Sequence, residues 1–177
     1  MNRYRKVKKA SILGIIGNVF LFIIKLIASV LSKSEAMMAD TFNSGGDIFS
    51  SLITYIGNKI ASKPSDEDHD LGHGKAEYVF SLLISITMIV LAVSIIKSSV
   101  LSIINKEQIV YSAYLIVVCL VTIAVKASLY IYTNKIAKEE KNLLMEANSK
   151  DHRNDVLLTS LNLLSIILSS NLTKPSV

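Results

Sequence analysis

Two pairs of polar side chains, each spaced four residues apart, stand out in an otherwise apolar sequence. Asn43 and Asp47 form the first pair, and Asp151 and Asp155 form the second. Residues four apart on an α-helix project from consecutive turns of one face. Each pair therefore presents its oxygen atoms together. An ionisable group at membrane depth is costly and is usually functional.

Together the pairs supply one amide oxygen and three carboxylates. Three carboxylates buried together cannot all be ionised without a cation, and a divalent ion removes that cost. Zinc and cobalt sites generally favour His or Cys ligands, whereas all-oxygen ligation suits harder ions. The ligand set therefore predicts a Mn²⁺ site first, with Mg²⁺ or Fe²⁺ behind it. His152 lies about 100° around the helix from Asp151, so we expect it to flank the site.

A solvated helix face is the competing interpretation of any single acidic pair. Asp151 and Asp155 lie near a charged loop, where such pairs are common. Asp47 is harder to explain in this way because spanning sequence flanks it. Both pairs also lie near mid-membrane, about 10–18 Å along their helices at roughly 1.5 Å per residue. Two matched pairs on antiparallel helices favour a shared metal site.

A second candidate metal site lies in the polar segment between residues 61 and 75. Asp66, His69 and His73 are spaced three and four residues apart there. Imidazoles in such a loop can bind zinc. The competing interpretation is a hydrophilic turn shaped by the nearby proline and glycines.

The elements that position these residues are predicted to be transmembrane helices. The chain has 177 residues, of which 51% are hydrophobic, and its mean hydropathy is +0.47. This composition predicts an all-α, polytopic membrane helix bundle with the lipid bilayer as its surroundings. The lone Cys119 cannot form an internal disulfide. Nucleic-acid binding is not expected, because the basic residues lie at span ends without interleaved base-stacking aromatics.

Five spans are predicted from the apolar runs. They cover residues 11–31, 36–60, 78–104, 109–132 and 143–170. Basic residues before the first span predict a cytoplasmic N-terminus. Residues 61–75 and 133–142 are then cytoplasmic loops. Hydropathy alone underestimates the fifth span, because charged residues fill its first half.

Four further residues inside the spans bear on how the helices pack. Lys25 is expected either to extend toward the headgroups or to pair with Glu35 or Asp40. Lys126 lies near the inner end of the fourth span, where extension to the headgroups is expected. Gly45 and Gly46 are expected to allow close helix approach.

The combined motifs resemble the cation diffusion facilitator (cation efflux) family. The matching positions are Ala39, Asp40, Asn43 and Asp47, then Pro64, Asp66, His69, Gly72, His73, Gly74, Lys75 and Glu77, then Asp151 and Asp155. The resemblance implies six transmembrane helices followed by a cytoplasmic domain. It implies dimers that exchange a divalent metal for protons by alternating access, with the transport site on helices two and five.

The resemblance also implies roles for individual residues. Asn43 and Asp47 match the second-helix pair of the transport site, and Asp151 and Asp155 match the fifth-helix pair. The Asn-Asp and Asp-Asp pattern is similar to manganese-type members, whereas zinc members usually carry a His. The residues Asp66, His69 and His73 match a loop zinc site of some members.

The sequence ends soon after the fifth predicted span. We therefore expect residues 1–177 to be an incomplete transmembrane domain without the sixth helix and cytoplasmic domain. The leading hypothesis is a Mn²⁺/H⁺ antiporter that forms a homodimer in the plasma membrane, with Zn²⁺ or Fe²⁺ as the alternative cargo. We expect neither an enzymatic activity nor a cofactor. A non-transporting fragment or subunit, which binds metal or dimerises with a full-length relative, is the alternative. An intramembrane hydrolase that uses two catalytic aspartates is disfavoured, because four oxygen-bearing side chains are more than such a dyad needs.

Overall fold

The computed structural model describes residues 3–32, 35–64, 73–105 and 113–172. Within these ranges the chain forms five long α-helices and no strand. They are α1 (Arg3–Ser32), α2 (Glu35–Ala61), α3 (Ala76–Ile104), α4 (Ala113–Glu140) and α5 (Leu143–Leu172). The predicted fold class, an all-α helix bundle, is confirmed.

The end of α4 differs from the prediction. The sequence predicts a charged loop over residues 133–142, but α4 continues to Glu140. The Lys, Ala and Glu residues in this stretch are good helix formers, so the helix persists after the apolar run has ended. It stops at Lys141, which has a positive φ of 48°. Asn142 then caps α5, because its Oδ1 accepts a hydrogen bond of 2.9 Å from the Met145 backbone N–H.

The most extensive helix contacts are those between α1 and α2 and between α4 and α5. Helix α3 lies at the side of the bundle, where it contacts α2 and α5. Only Glu77 and Ile84 of α3 are buried. Most of the remaining α3 residues are apolar and exposed, as expected for a helix that faces lipid on much of its surface.

The bundle has a polar interior and an apolar exterior. Among the described residues, α1, α3 and α4 are long and apolar enough to cross a membrane. Helices α2 and α5 fall outside that group, because they carry much of the buried polar surface. This surface includes Thr41, Ser44, Asp47, Ser51, Thr54, Asn148, Asp151, His152 and Asp155. Such helices are stable in a bilayer when their polar faces are turned toward other helices.

The two adjacent glycines of α2 differ in how closely a neighbouring side chain approaches them. A Cβ atom on Gly46 would lie 2.7 Å from Cδ1 of Leu91 on α3. The corresponding atom on Gly45 would meet nothing closer than Phe22 at 3.8 Å. The Leu91 side chain of α3 therefore packs directly against Gly46, whereas Gly45 has ordinary space around it, and a close approach of the helices at these glycines stays a prediction.

Candidate metal centre

Three of the four predicted transport-site residues come together in the centre of the bundle. Asp47, Asp151 and Asp155 each offer a carboxylate oxygen, and these oxygens lie within 4.8 Å of one another. The exposed fractions of these residues are 1%, 4% and 8%. Asn43 lies one turn before Asp47 on α2 and is partly buried. The arrangement offers an oxygen-rich cluster that is shielded from solvent.

Asn18 of α1 binds the backbone of α2 at Asp47 and so helps to position Asp47. Its Nδ2 donates hydrogen bonds to the Asp47 backbone oxygen at 2.9 Å and to Ser51 Oγ at 3.0 Å. Asn18 is fully buried, so both bonds are shielded from competing water. This role of Asn18 was not predicted from the sequence. A lone amide in an apolar run was the available signal, because a polar group at membrane depth needs an internal partner.

Lys126 of α4 enters the cluster, so the prediction that it extends toward the headgroups is wrong. Its Nζ lies 2.7 Å from Asp47 Oδ2 and 2.5 Å from Asp155 Oδ2. The side chain is 1% exposed. Two carboxylates within reach stabilise the ammonium inside the bundle, which removes the reason for extending it outward. A Lys in one span and Asp residues in two others indicate that an ion pair is available, but which of them meet depends on how the helices pack.

Lys25 forms the ion pair that was one of its two predicted roles. Its Nζ lies 2.9 Å from Asp40 Oδ2, and its side chain is 4% exposed. This contact joins α1 to α2 two turns before Asp47. The side chain of Glu35, the other predicted partner, lies outside the described residues.

His152 lies beside the cluster. Within the described part of the chain, the cluster is formed by the three aspartates and does not include His152. The residue is fully buried, and neither ring nitrogen has a hydrogen-bond partner in the described part of the chain. A Cβ atom on Gly14 of α1 would lie 3.8 Å from His152 Nε2. The imidazole therefore points toward α1. This arrangement agrees with the flanking position that the sequence predicts.

The loop metal site falls mostly outside the described residues. Asp66 and His69 lie outside them, whereas His73 is described and partly buried. Its Nδ1 lies 3.4 Å from the Pro64 carbonyl oxygen. A zinc site formed by these three residues stays a prediction.

A charged network joins the helix ends on the side of the N-terminus. Arg3 Nη2 lies 2.6 Å from Glu77 Oε1, and Asn142 Nδ2 donates to the same oxygen at 3.2 Å. Lys6 Nζ lies 2.5 Å from Glu140 Oε1. The network links the start of α1 to α3 and to the α4–α5 connection. These contacts were not predicted from the sequence, because the partners are distant in sequence.

An apolar-faced helix bundle with carboxylates turned inward belongs to the class of membrane proteins that handle ions. The model of the cation efflux transmembrane domain matches residues 11–176. The chain therefore belongs to the cation efflux family and is an integral membrane protein. The predicted family, which is a family of transporters, is confirmed.

Three relatives illustrate the match. The chain is 35% identical to the uncharacterized transporter MJ0449 of Methanocaldococcus jannaschii, over 93% of this chain and 58% of the relative. It is 32% identical to the magnetosome protein MamM of Magnetospirillum gryphiswaldense, over 92% of this chain and 51% of the relative. It is 32% identical to the manganese efflux system protein MneS of Bacillus subtilis, over 90% of this chain and 56% of the relative. The chain thus spans about half the length of these relatives.

Proposed function

We propose that the chain carries the transport site of a divalent metal cation exporter, with Mn²⁺ as the preferred cargo. The observation that carries the proposal is the cluster of three buried carboxylates, whose oxygens lie within 4.8 Å of one another. Buried carboxylates at this separation repel one another, and a divalent cation offsets that repulsion. The relative MneS, a manganese efflux system protein, supports the choice of metal.

The ion is held as cargo by Asp47, Asp151 and Asp155, with the Asn43 amide oxygen one turn away. All four ligands are oxygens, and hard ions such as Mn²⁺ accept such ligands readily. His152 lies outside the cluster, which supports Mn²⁺ over Zn²⁺, since zinc sites favour imidazole or thiolate. Zn²⁺ and Fe²⁺ are the alternative cargoes.

Protons are the exchanged ions in this proposal. A carboxylate that releases a metal can take up a proton, so the same atoms serve both ions in turn. Proton uptake then balances the charge of the buried cluster once the cargo has left. Alternating access would expose the cluster first to one side of the membrane and then to the other. We further propose a plasma-membrane location, a cytoplasmic N-terminus and a homodimer.

The test is uptake of Mn²⁺ and Zn²⁺ into vesicles that contain the purified protein. We expect Mn²⁺ flux in the wild type and its loss in Asp155→Asn. The matched control is Glu146→Gln, which makes the same carboxylate-to-amide change on the exposed face of α5. Equal Mn²⁺ flux in Asp155→Asn and the wild type would contradict the proposed site. Preferred Zn²⁺ flux would contradict the proposed cargo. Metal binding without flux would make the chain a binding subunit, as in the alternative hypothesis.

A further inference from the structure

Lys126 binds the oxygens that the proposed cargo would use. Its ammonium contacts Oδ2 of Asp47 on α2 and Oδ2 of Asp155 on α5 at 2.7 and 2.5 Å. It reaches them from α4, which supplies no carboxylate to the cluster. A metal ion held by the same two oxygens could not occupy that position together with the ammonium.

We propose that Lys126 is a tethered counter-cation that competes with the divalent metal for Asp47 and Asp155. Metal loading displaces the ammonium, and metal release allows it to return. This inference rests on the proposed function, because it concerns the same cluster. It adds a residue from a third helix to the site and gives that residue a role in release of the cargo.

The charges explain why a tethered cation is useful here. An empty, fully ionised cluster of three carboxylates is expensive at membrane depth. One ammonium lowers that cost without cancelling it, because three negative charges face one positive charge. A divalent ion therefore still gains from binding. The lysine also limits how tightly the ion is held, since every bound ion must replace an existing ion pair.

Two carboxylate oxygens remain available for the first contact with the ion. Asp47 Oδ1 and Asp151 Oδ2 are buried and have no hydrogen-bond partner in the described part of the chain. An incoming cation can bind these oxygens before Lys126 moves. Displacement of the ammonium then frees the Oδ2 atoms of Asp47 and Asp155 to complete the site.

The alternative role for Lys126 is a structural link between α4 and its neighbours. The two roles differ in their effect on metal affinity. A structural link positions the carboxylates, so its removal weakens binding or leaves it unchanged. A competing cation opposes the metal, so its removal strengthens binding.

The test is the affinity of the purified protein for Mn²⁺, measured by calorimetry at neutral pH. We expect Lys126→Met, which retains a long unbranched side chain, to bind Mn²⁺ at least about tenfold more tightly. Lys126→Arg keeps the charge and should bind no more tightly than the wild type. Lys25→Met removes another buried lysine, whose partner Asp40 lies outside the cluster, and should change affinity less than Lys126→Met.

This inference alone would be overturned if folded Lys126→Met binds Mn²⁺ no more tightly than the wild type, while Asp155→Asn binds it less tightly than the wild type. A wild type that binds Mn²⁺ no better than Asp155→Asn would overturn the proposed function and the inference with it.

A second measurement covers the case in which Lys126→Met does not fold. We would label lysine side chains with ¹⁵N in the wild type and assign the Lys126 Nζ resonance by its absence in Lys126→Arg. Adding diamagnetic Mg²⁺ should shift this resonance if the ammonium leaves the carboxylates. A resonance that stays unchanged at a saturating Mg²⁺ concentration would overturn the inference.

Discussion

The three aspartates of the cluster differ in how they are stabilised. Asp155 and Asp47 each accept from Lys126, whereas Asp151 Oδ2 has no hydrogen-bond partner in the described residues. Removal of a carboxylate that pairs with Lys126 should therefore lower stability, whereas removal of the Asp151 carboxylate should not. Mutating them separates a role in folding from a role in metal binding.

We predict that Asp155→Asn lowers the metal-free stability by about 1–3 kcal/mol, because Lys126 loses a charged partner. We predict that Asp151→Asn leaves it unchanged or raises it, because a repelling charge is removed. Both variants should bind Mn²⁺ more weakly. Thermal unfolding with and without Mn²⁺ measures both effects. A larger loss of metal-free stability in Asp151→Asn than in Asp155→Asn would contradict this assignment.

The carboxylate ligands also predict how metal affinity depends on pH. Protons and Mn²⁺ compete for the same oxygens, so lower pH favours the protonated, metal-free cluster. We expect the Mn²⁺ affinity to fall steeply between about pH 8 and pH 6. Calorimetric titrations across this range measure the slope, and Asp155→Asn should show a shallower one. A wild-type affinity that is flat over the range would argue against proton coupling through these groups.

At the scale of elements, small residues allow α2 to approach its neighbours. A Cβ atom on Gly57 would lie 2.7 and 2.8 Å from Cγ and Cβ of Phe80, and 3.1 Å from Leu144 Cδ1. The Phe80 atoms lie close to the α3 backbone, so they cannot move away without a shift of the helix. The contact joins α2 to α3 and α5 near the end of the bundle that carries the charged network.

We predict that Gly57→Ala destabilises the fold by about 1–3 kcal/mol through overpacking. Gly45→Ala is the matched control, because its added methyl group would meet only Phe22 at 3.8 Å. Since alanine favours the helix more than glycine does, the control should be neutral or stabilising. Thermal unfolding in a single detergent compares the two. Equal stability of both variants would show that the crossing tolerates the extra volume.

The sequence predicts those elements and contacts that depend on local spacing. The i, i+4 spacing of Asp151 and Asp155 predicts a shared helix face, and the structure brings both to Asp47. The end of α4 could not be predicted from hydropathy, because helix propensity continues after the apolar run ends. The partners of Lys126 could not be predicted either, because they depend on how three helices pack. Asn43 has the predicted spacing, and its role as a ligand stays a prediction.

For the whole molecule, the distribution of polarity agrees with the family assignment. Large apolar side chains are exposed along α1, α3 and α4, whereas Asn, Ser, Thr and Asp side chains are buried between the helices. A bilayer stabilises this arrangement, because lipid covers the apolar exterior and the polar groups bind one another inside. The charged network around Glu77 and Glu140 lies at the helix ends, where water can solvate its outer members.

The most direct test of the central claim is pulsed EPR of Mn²⁺ bound to the purified protein. An all-oxygen site predicts one bound Mn²⁺ per chain without strong ¹⁴N coupling from a directly bound imidazole. Uniform ¹⁵N labelling of histidine identifies any such coupling. At a Mn²⁺ concentration that just saturates the wild type, Asp155→Asn should show a weaker signal of bound Mn²⁺, whereas Glu146→Gln should keep it. Direct histidine coupling, or Mn²⁺ bound as well by Asp155→Asn as by the wild type, would contradict a metal centre formed by Asp47, Asp151 and Asp155.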